Sequence, residues 1–108
     1  MKKKFPKPNE HGTYPSERAE TLSYTNNRTR ANIELLQIGP DVWINAIDVQ
    51  LSNCGMGEPL SNHDPHPTRD GALAAAVKRI MCYTEHNAAP DALQVKRWAE
   101  GRLQMTLF

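Results

Sequence analysis

The sequence predicts an α+β domain: a β-hairpin packed on two C-terminal helices, preceded by an extended N-terminal arm. Three observations predict it. Ile33 to Leu51 is a run rich in aliphatic residues with a Gly39-Pro40-Asp41 turn signal in its middle. Thr68 to Asn87 and Pro90 to about Leu103 carry helix-start signals and apolar residues at helical spacing. Residues 1 to about 30 contain Pro6, Pro8 and Pro15 and no apolar period. At 108 residues, 39% hydrophobic and with a mean hydropathy of −0.64, the chain can build one small domain with a modest core. The same figures leave room for unstructured segments. The organisation expected is a basic arm over 1–30, a domain over 31–103 and a terminal peptide over 104–108.

In the arm, the prolines, Asn9-Glu10-His11-Gly12 and Asn26-Asn27 are turn and breaker signals. Phe5, Tyr14, Leu22 and Tyr24 are spaced apolar anchors that could lie along the body. Ser16 is placed to cap one helical turn over Ser16–Glu20. The arm is also where positive charge collects. Residues 1–30 carry seven Lys/Arg (Lys2, Lys3, Lys4, Lys7, Arg18, Arg28 and Arg30) against Glu10, Glu17 and Glu20, a net +4. The remainder has six basic and nine acidic residues, a net −3, so the chain totals +1. A basic arm on a mildly acidic body fits contact with phosphate, although Lys-rich starts also serve as solubilising tails.

The hairpin is expected from Ile33–Ile38 and Val42–Leu51. Trp43, Ile47, Val49 and Leu51 share one face of the second strand, and Ile44, Ala46, Asp48 and Gln50 share the other. A lone hairpin is marginal, so its apolar face needs a helix across it. Ser52 to Pro67 reads as a loop. Its Asn53-Cys54-Gly55-Met56-Gly57 start suits a bent strand end better than a phosphate loop, because no Lys-Ser/Thr follows.

Thr68 is expected to cap the first helix. Asp70 suits the positive end of its dipole, and Leu73, Val77, Ile80 and Met81 form its stripe. Pro90 and Asp91 open the second helix, and Gly101 weakens its last turn. Lys78, Arg79, Lys96, Arg97 and Arg102 could then form a basic face opposite the core.

Candidate chemistry is sparse. His63, His66 and Cys54 share a loop but lack the ligand spacing of a zinc site. Cys82 falls near the first helix's stripe and is expected to be a buried small hydrophobe. A Cys82–His86 pair has no third orienting group. Trp43 and Trp98 are expected to pack in the core. No nucleophile–base–orienter set or paired carboxylate site is evident, so a non-enzymatic protein without cofactor or metal is expected. Two scattered cysteines, with no signal peptide and no membrane span, point to a bacterial cytoplasm.

The last five residues, Gln104-Met105-Thr106-Leu107-Phe108, resemble the Gln-Leu-x-Leu-Phe peptide by which bacterial replication and repair proteins dock on the DNA sliding clamp. The departure is Met105 for Leu. The resemblance implies that Leu107 and Phe108 fill an apolar pocket, with Met105 beside them, while the Gln104 amide makes directional hydrogen bonds. The same stretch has two self-packing alternatives. Leu103, Met105 and Leu107 alternate, which suits a third short strand closing the sheet, and the segment also reads as a last helical turn. The body is similar only in general character to small modules carried by phages and integrative elements.

The function expected is a small non-enzymatic accessory or inhibitor protein of phage or mobile-element type, docking on the clamp through Gln104, Met105, Leu107 and Phe108. The alternative is an anti-defence or regulatory protein that binds a nucleoprotein complex or nucleic acid. Lys2, Lys3, Lys4, Arg28, Arg30, Lys96 and Arg97 would carry that contact.

Overall fold

The computed structural model describes residues 4–107, and of Met105, Thr106 and Leu107 the backbone alone. Among these residues the fold is α+β. Strands β1 (Glu20–Asn26), β2 (Thr29–Gly39), β3 (Val42–Gln50) and β4 (Gly55–Gly57) form one antiparallel sheet in chain order. Helices α1 (Arg69–Glu85) and α2 (Pro90–Leu107) follow.

The expected hairpin is the β2–β3 pair at the centre of the sheet, with Leu36 opposite Ile44 and Ile33 opposite Ile47. A register shift between Gln37 and Gly39 marks a bulge beside the Pro40-Asp41 turn, where Asp41 adopts a φ of 56°. The additional strands come from segments expected to be irregular. Glu20–Asn26, assigned to the extended arm, pairs with β2 through all seven of its residues. A two-residue turn, Asn27-Arg28, makes this possible, because Asn27 takes a φ of 57° that asparagine tolerates. Gly55–Gly57, expected to be a bent strand end, supplies the short strand on the far side of β3. The strand alternative for Leu103–Leu107 is not adopted, since α2 runs on through Leu107.

Each face of the sheet carries an apolar cluster. On one face Ala31, Ile33, Leu35, Ile47, Val49 and Leu51 meet Leu73, Ala76, Val77 and Ile80 of α1, with Val95 and Ala99 of α2. Four helix alanines, Ala72, Ala76, Ala92 and Ala99, are 0–1% exposed, and their small side chains let the helices lie close. Thr68 caps α1 as expected: its hydroxyl accepts the Gly71 N–H at 3.0 Å.

On the other face Leu36, Ile44, Ala46 and Leu60 form a second, smaller cluster with Tyr14, Ala19 and Ile38 against it. The arm is held there by backbone pairing, since the Tyr14 N–H donates to the Leu60 carbonyl at 2.7 Å. Ser16 lies inside a short 3₁₀ turn, Ser16–Arg18, and does not cap it; Pro15 precedes the turn.

Two links tie the layers together. Arg69 grips Glu20 with two parallel hydrogen bonds of 2.7 and 2.6 Å, joining β1 to the start of α1. That contact holds the Glu20 carboxyl below its ordinary value. Asp91, in the first turn of α2, accepts from the Thr29 hydroxyl at 2.7 Å, the Ser52 N–H at 2.8 Å and the Ser52 hydroxyl at 3.1 Å. It pins the N-terminus of α2 to the end of the sheet.

Candidate functional site

The C-terminal candidate begins where the core ends. Ala99 is the last residue of α2 in the buried cluster, and Leu103 is half-buried against it. Gln104 is exposed. The backbone of Gln104–Leu107 continues the helix. The side chains of Met105 and Leu107, and the whole of Phe108, lie outside the described residues. Gly101 has no heavy atom within 4 Å of where a Cβ would stand, so close packing does not require a glycine there. It lowers the helical propensity of the segment that leads to Gln104.

The described basic residues lie on several elements. Lys2 and Lys3 lie outside the described residues, and Lys4 is exposed, its carbonyl accepting from Arg18 at 3.4 Å. Arg28 is exposed in the β1–β2 turn, in a shallow depression shared with Pro90, Asp91 and Gln94. Arg30 stands 3.7 Å from Asp48. Lys96 lines a groove between the helices together with Lys78, Met81 and Leu103, and Arg97 is exposed elsewhere on α2. Arg79, expected on the solvent face, instead turns to the edge of β3. Its guanidinium donates to Glu58 at 3.0 and 2.8 Å and to the Asn45 side-chain oxygen. A half-buried carboxylate and a guanidinium in bidentate geometry neutralise one another, which removes Arg79 from any phosphate-binding surface.

That ion pair marks a cleft which the sequence did not reveal. Where β4 ends, Glu58 continues the pairing in a different way: its N–H donates to the Ile47 carbonyl at 2.9 Å, and its carboxylate accepts the Ile47 N–H at 3.1 Å. The chain then leaves the edge of β3 and returns at His66, which exchanges two backbone bonds of 2.7 and 2.8 Å with Trp43. Asn45 lies between these two anchor points. Strand alternation aims its backbone N–H and C=O the same way as those of Trp43 and Ile47, into the gap. Its side-chain nitrogen is buried without a hydrogen-bond partner. The cleft encloses about 610 Å³ and is lined by Asn45, Glu58, Ser61, His63, Asp64 and Arg79. The cleft presents hydrogen-bond donors and acceptors together with the Glu58–Arg79 ion pair.

The remaining candidates resolve simply. Among the described residues no group of three or more His, Cys, Asp or Glu is arranged to hold a metal ion. His66 pairs with Asp64 at 3.3 Å. Cys82 is exposed rather than buried, because the inward stripe of α1 runs through Val77, Ile80 and Thr84 and turns residue 82 outward. Cys54, also exposed, is the cysteine with polar company: Tyr83 and Asn87 donate to its sulfur at 3.1 and 3.3 Å. The bond to Cys54 raises the Tyr83 hydroxyl above its ordinary value. Trp43 and Trp98 are half-buried against the main cluster, with the Trp98 ring 6.0 Å from that of Tyr24. No described helix is long and apolar enough to cross a membrane. Compared with known protein families, curated proteins and solved structures, the chain matches none.

Proposed function

We propose that this chain is a small non-enzymatic accessory or inhibitor protein that docks on the bacterial DNA sliding clamp through Gln104–Phe108. The observation that supports this reading is the position of the docking sequence relative to the core. The buried cluster closes at Ala99, and Gln104 is already exposed. Docking in an extended form then requires only the last helical turn to unwind. Helix termini open at little free-energy cost, and Gly101 lowers that cost further. Burial of Met105, Leu107 and Phe108 in an apolar pocket contributes about 1.5–3 kcal/mol each before ordering costs, which suits micromolar, exchangeable binding.

The experiment is titration of the full chain and of a chain ending at Leu103 against purified bacterial sliding clamp. The full chain should bind in roughly the micromolar range and the shortened chain at least about tenfold more weakly. Circular dichroism should show the fold retained. Equal binding by both chains would remove the proposal. The alternative, nucleic-acid contact through the arm and helices, has less support, because two of its basic residues, Arg30 and Arg79, each face a carboxylate.

A further inference from the structure

The two edges of the sheet are treated differently. The β4 edge is short and protected: three residues of strand, then the Glu58 carboxylate on Ile47, then His66 on Trp43. The β1 edge has none of these devices. Its seven residues pair with β2 without a bulge, and Thr21 to Asn27 contain no charge and no proline. Edge strands of this kind are templates for a further strand.

Geometry identifies which groups are free. The Asn27-Arg28 turn makes Asn26 and Thr29 the hydrogen-bonded pair that closes the hairpin. Counting back by two, Tyr24 and Leu22 also bond inward to β2. The N–H and C=O groups of Thr21, Ser23 and Thr25 therefore point outward, and no described residue makes a backbone bond to them.

We infer that β1 pairs antiparallel with β1 of a second copy of this chain, with Ser23 on the two-fold axis, joining two sheets into one of eight strands. This inference is independent of the clamp reading. The strand is self-complementary in that register. Thr21 meets Thr25 of the second copy, Ser23 meets its counterpart, and all three outward residues exchange backbone bonds. On the helix face Leu22 meets Tyr24 in the close, non-hydrogen-bonded positions. Both side chains are only partly covered within one chain, where Tyr24 leans on Trp98. A second copy completes their burial. On the opposite face exposed Thr21, Ser23 and Thr25 form a hydroxyl ladder. Like charges do not meet, because the nearest charged residues, Glu20 and Arg28, flank the paired stretch.

Sedimentation equilibrium over a wide concentration range tests this directly. The mass should rise with concentration from 12.2 kDa toward twice that value. The amides of Thr21, Ser23 and Thr25 should exchange more slowly as the dimer forms. Ser23→Pro removes an outward N–H that the chain's own sheet does not use, and should weaken association at least about tenfold. Ser23→Lys places two ammonium groups on the axis and should weaken association without altering the ladder, should the proline variant fail to fold. A single 12.2-kDa species at every concentration overturns the inference. So does a dimer in which those three amides stay unprotected, or one that both variants leave intact.

Discussion

Asp91 joins three elements through one carboxylate, and replacing it with alanine tests whether that junction holds α2 on the sheet. The Thr29 hydroxyl, in a residue only 6% exposed, loses its sole acceptor in the variant, and Ser52 loses partners for both its N–H and its hydroxyl. A hydrogen bond to a charged group contributes about 1.5–3 kcal/mol when buried. Water can replace the two exposed Ser52 bonds, so most of the effect falls on Thr29. Loss of an acidic residue from the first turn of α2 adds about 0.3–1 kcal/mol. Asp91→Ala should therefore lower unfolding free energy by about 2–3 kcal/mol, a fall in Tm of roughly 10–20 °C for a domain of this size. Urea unfolding near neutral pH, followed by circular dichroism, measures it.

The pH dependence gives an independent check. The Thr29 hydroxyl first, and the Ser52 donors against the opposing effect of burial, hold the Asp91 carboxyl below its ordinary 3.8. A carboxyl depressed by folding contributes stability that is complete above its unfolded value and is lost as pH falls through the folded one. The gap between the natural chain and Asp91→Ala should thus be constant at neutral pH and narrow below about 3.8. Asp91→Asn, which keeps one oxygen to accept from the Thr29 hydroxyl and the Ser52 N–H but loses the charge and turns its NH2 toward the Ser52 hydroxyl, should lose about half as much or less. A deficit under about 0.5 kcal/mol, or one that stays constant into acid, would refute the reasoning.

Two further outcomes follow from the second layer and the cleft. Leu60→Ala should cost about 2–4 kcal/mol in urea unfolding and should speed amide exchange at Tyr14, whose N–H is held by the Leu60 carbonyl; unchanged exchange would detach the arm from that cluster. Glu58→Ala leaves the Arg79 guanidinium and the Ile47 N–H without their carboxylate and should cost about 2–3 kcal/mol, yet adding Arg79→Ala should cost little more, so strict additivity in the double-mutant cycle would exclude the coupling.

What the sequence disclosed and what it concealed have the same physical origin. The β2–β3 hairpin and both helices were legible because each has an apolar period and punctuation at its ends: Pro40-Asp41, Thr68 and Pro90. Strand β1 was concealed because Thr21, Ser23 and Thr25 are polar on one side, and Asn26-Asn27 reads as a break when Asn26 ends the strand and Asn27 opens a two-residue turn. The alternation Leu22, Tyr24 was the available signal. Strand β4 has only Met56 between two glycines, too little to carry a pattern. The cleft was unreadable for another reason. It depends on Glu58 and Arg79, 21 residues apart, meeting beside Asn45, and no spacing rule links them.

The second apolar cluster changes what residues 4–19 are. Leu36, Ile44 and Ala46 lie on the face away from the helices, and a sheet with apolar residues on both sides must be covered twice. In this chain the second cover is Tyr14, Ala19 and Leu60, so the segment expected to be an arm serves as a wall of the domain. Its prolines suit that use, since a segment running over a sheet face without joining its ladder does not need every N–H. The consequence bears on partners. With one face under helices and the Leu36–Ile44–Ala46 part of the other under the arm, the part of the sheet left open is polar: Thr21, Ser23, Thr25, Arg30 and Gln50 are exposed there. Other described surfaces are the β1 edge, the cleft beside Asn45, the outer sides of the helices and the end of α2. A partner that displaced the arm would expose the Leu36–Ile44–Ala46 patch, so binding there must supply replacement apolar cover, whereas binding at the β1 edge or beyond Leu103 leaves both clusters intact.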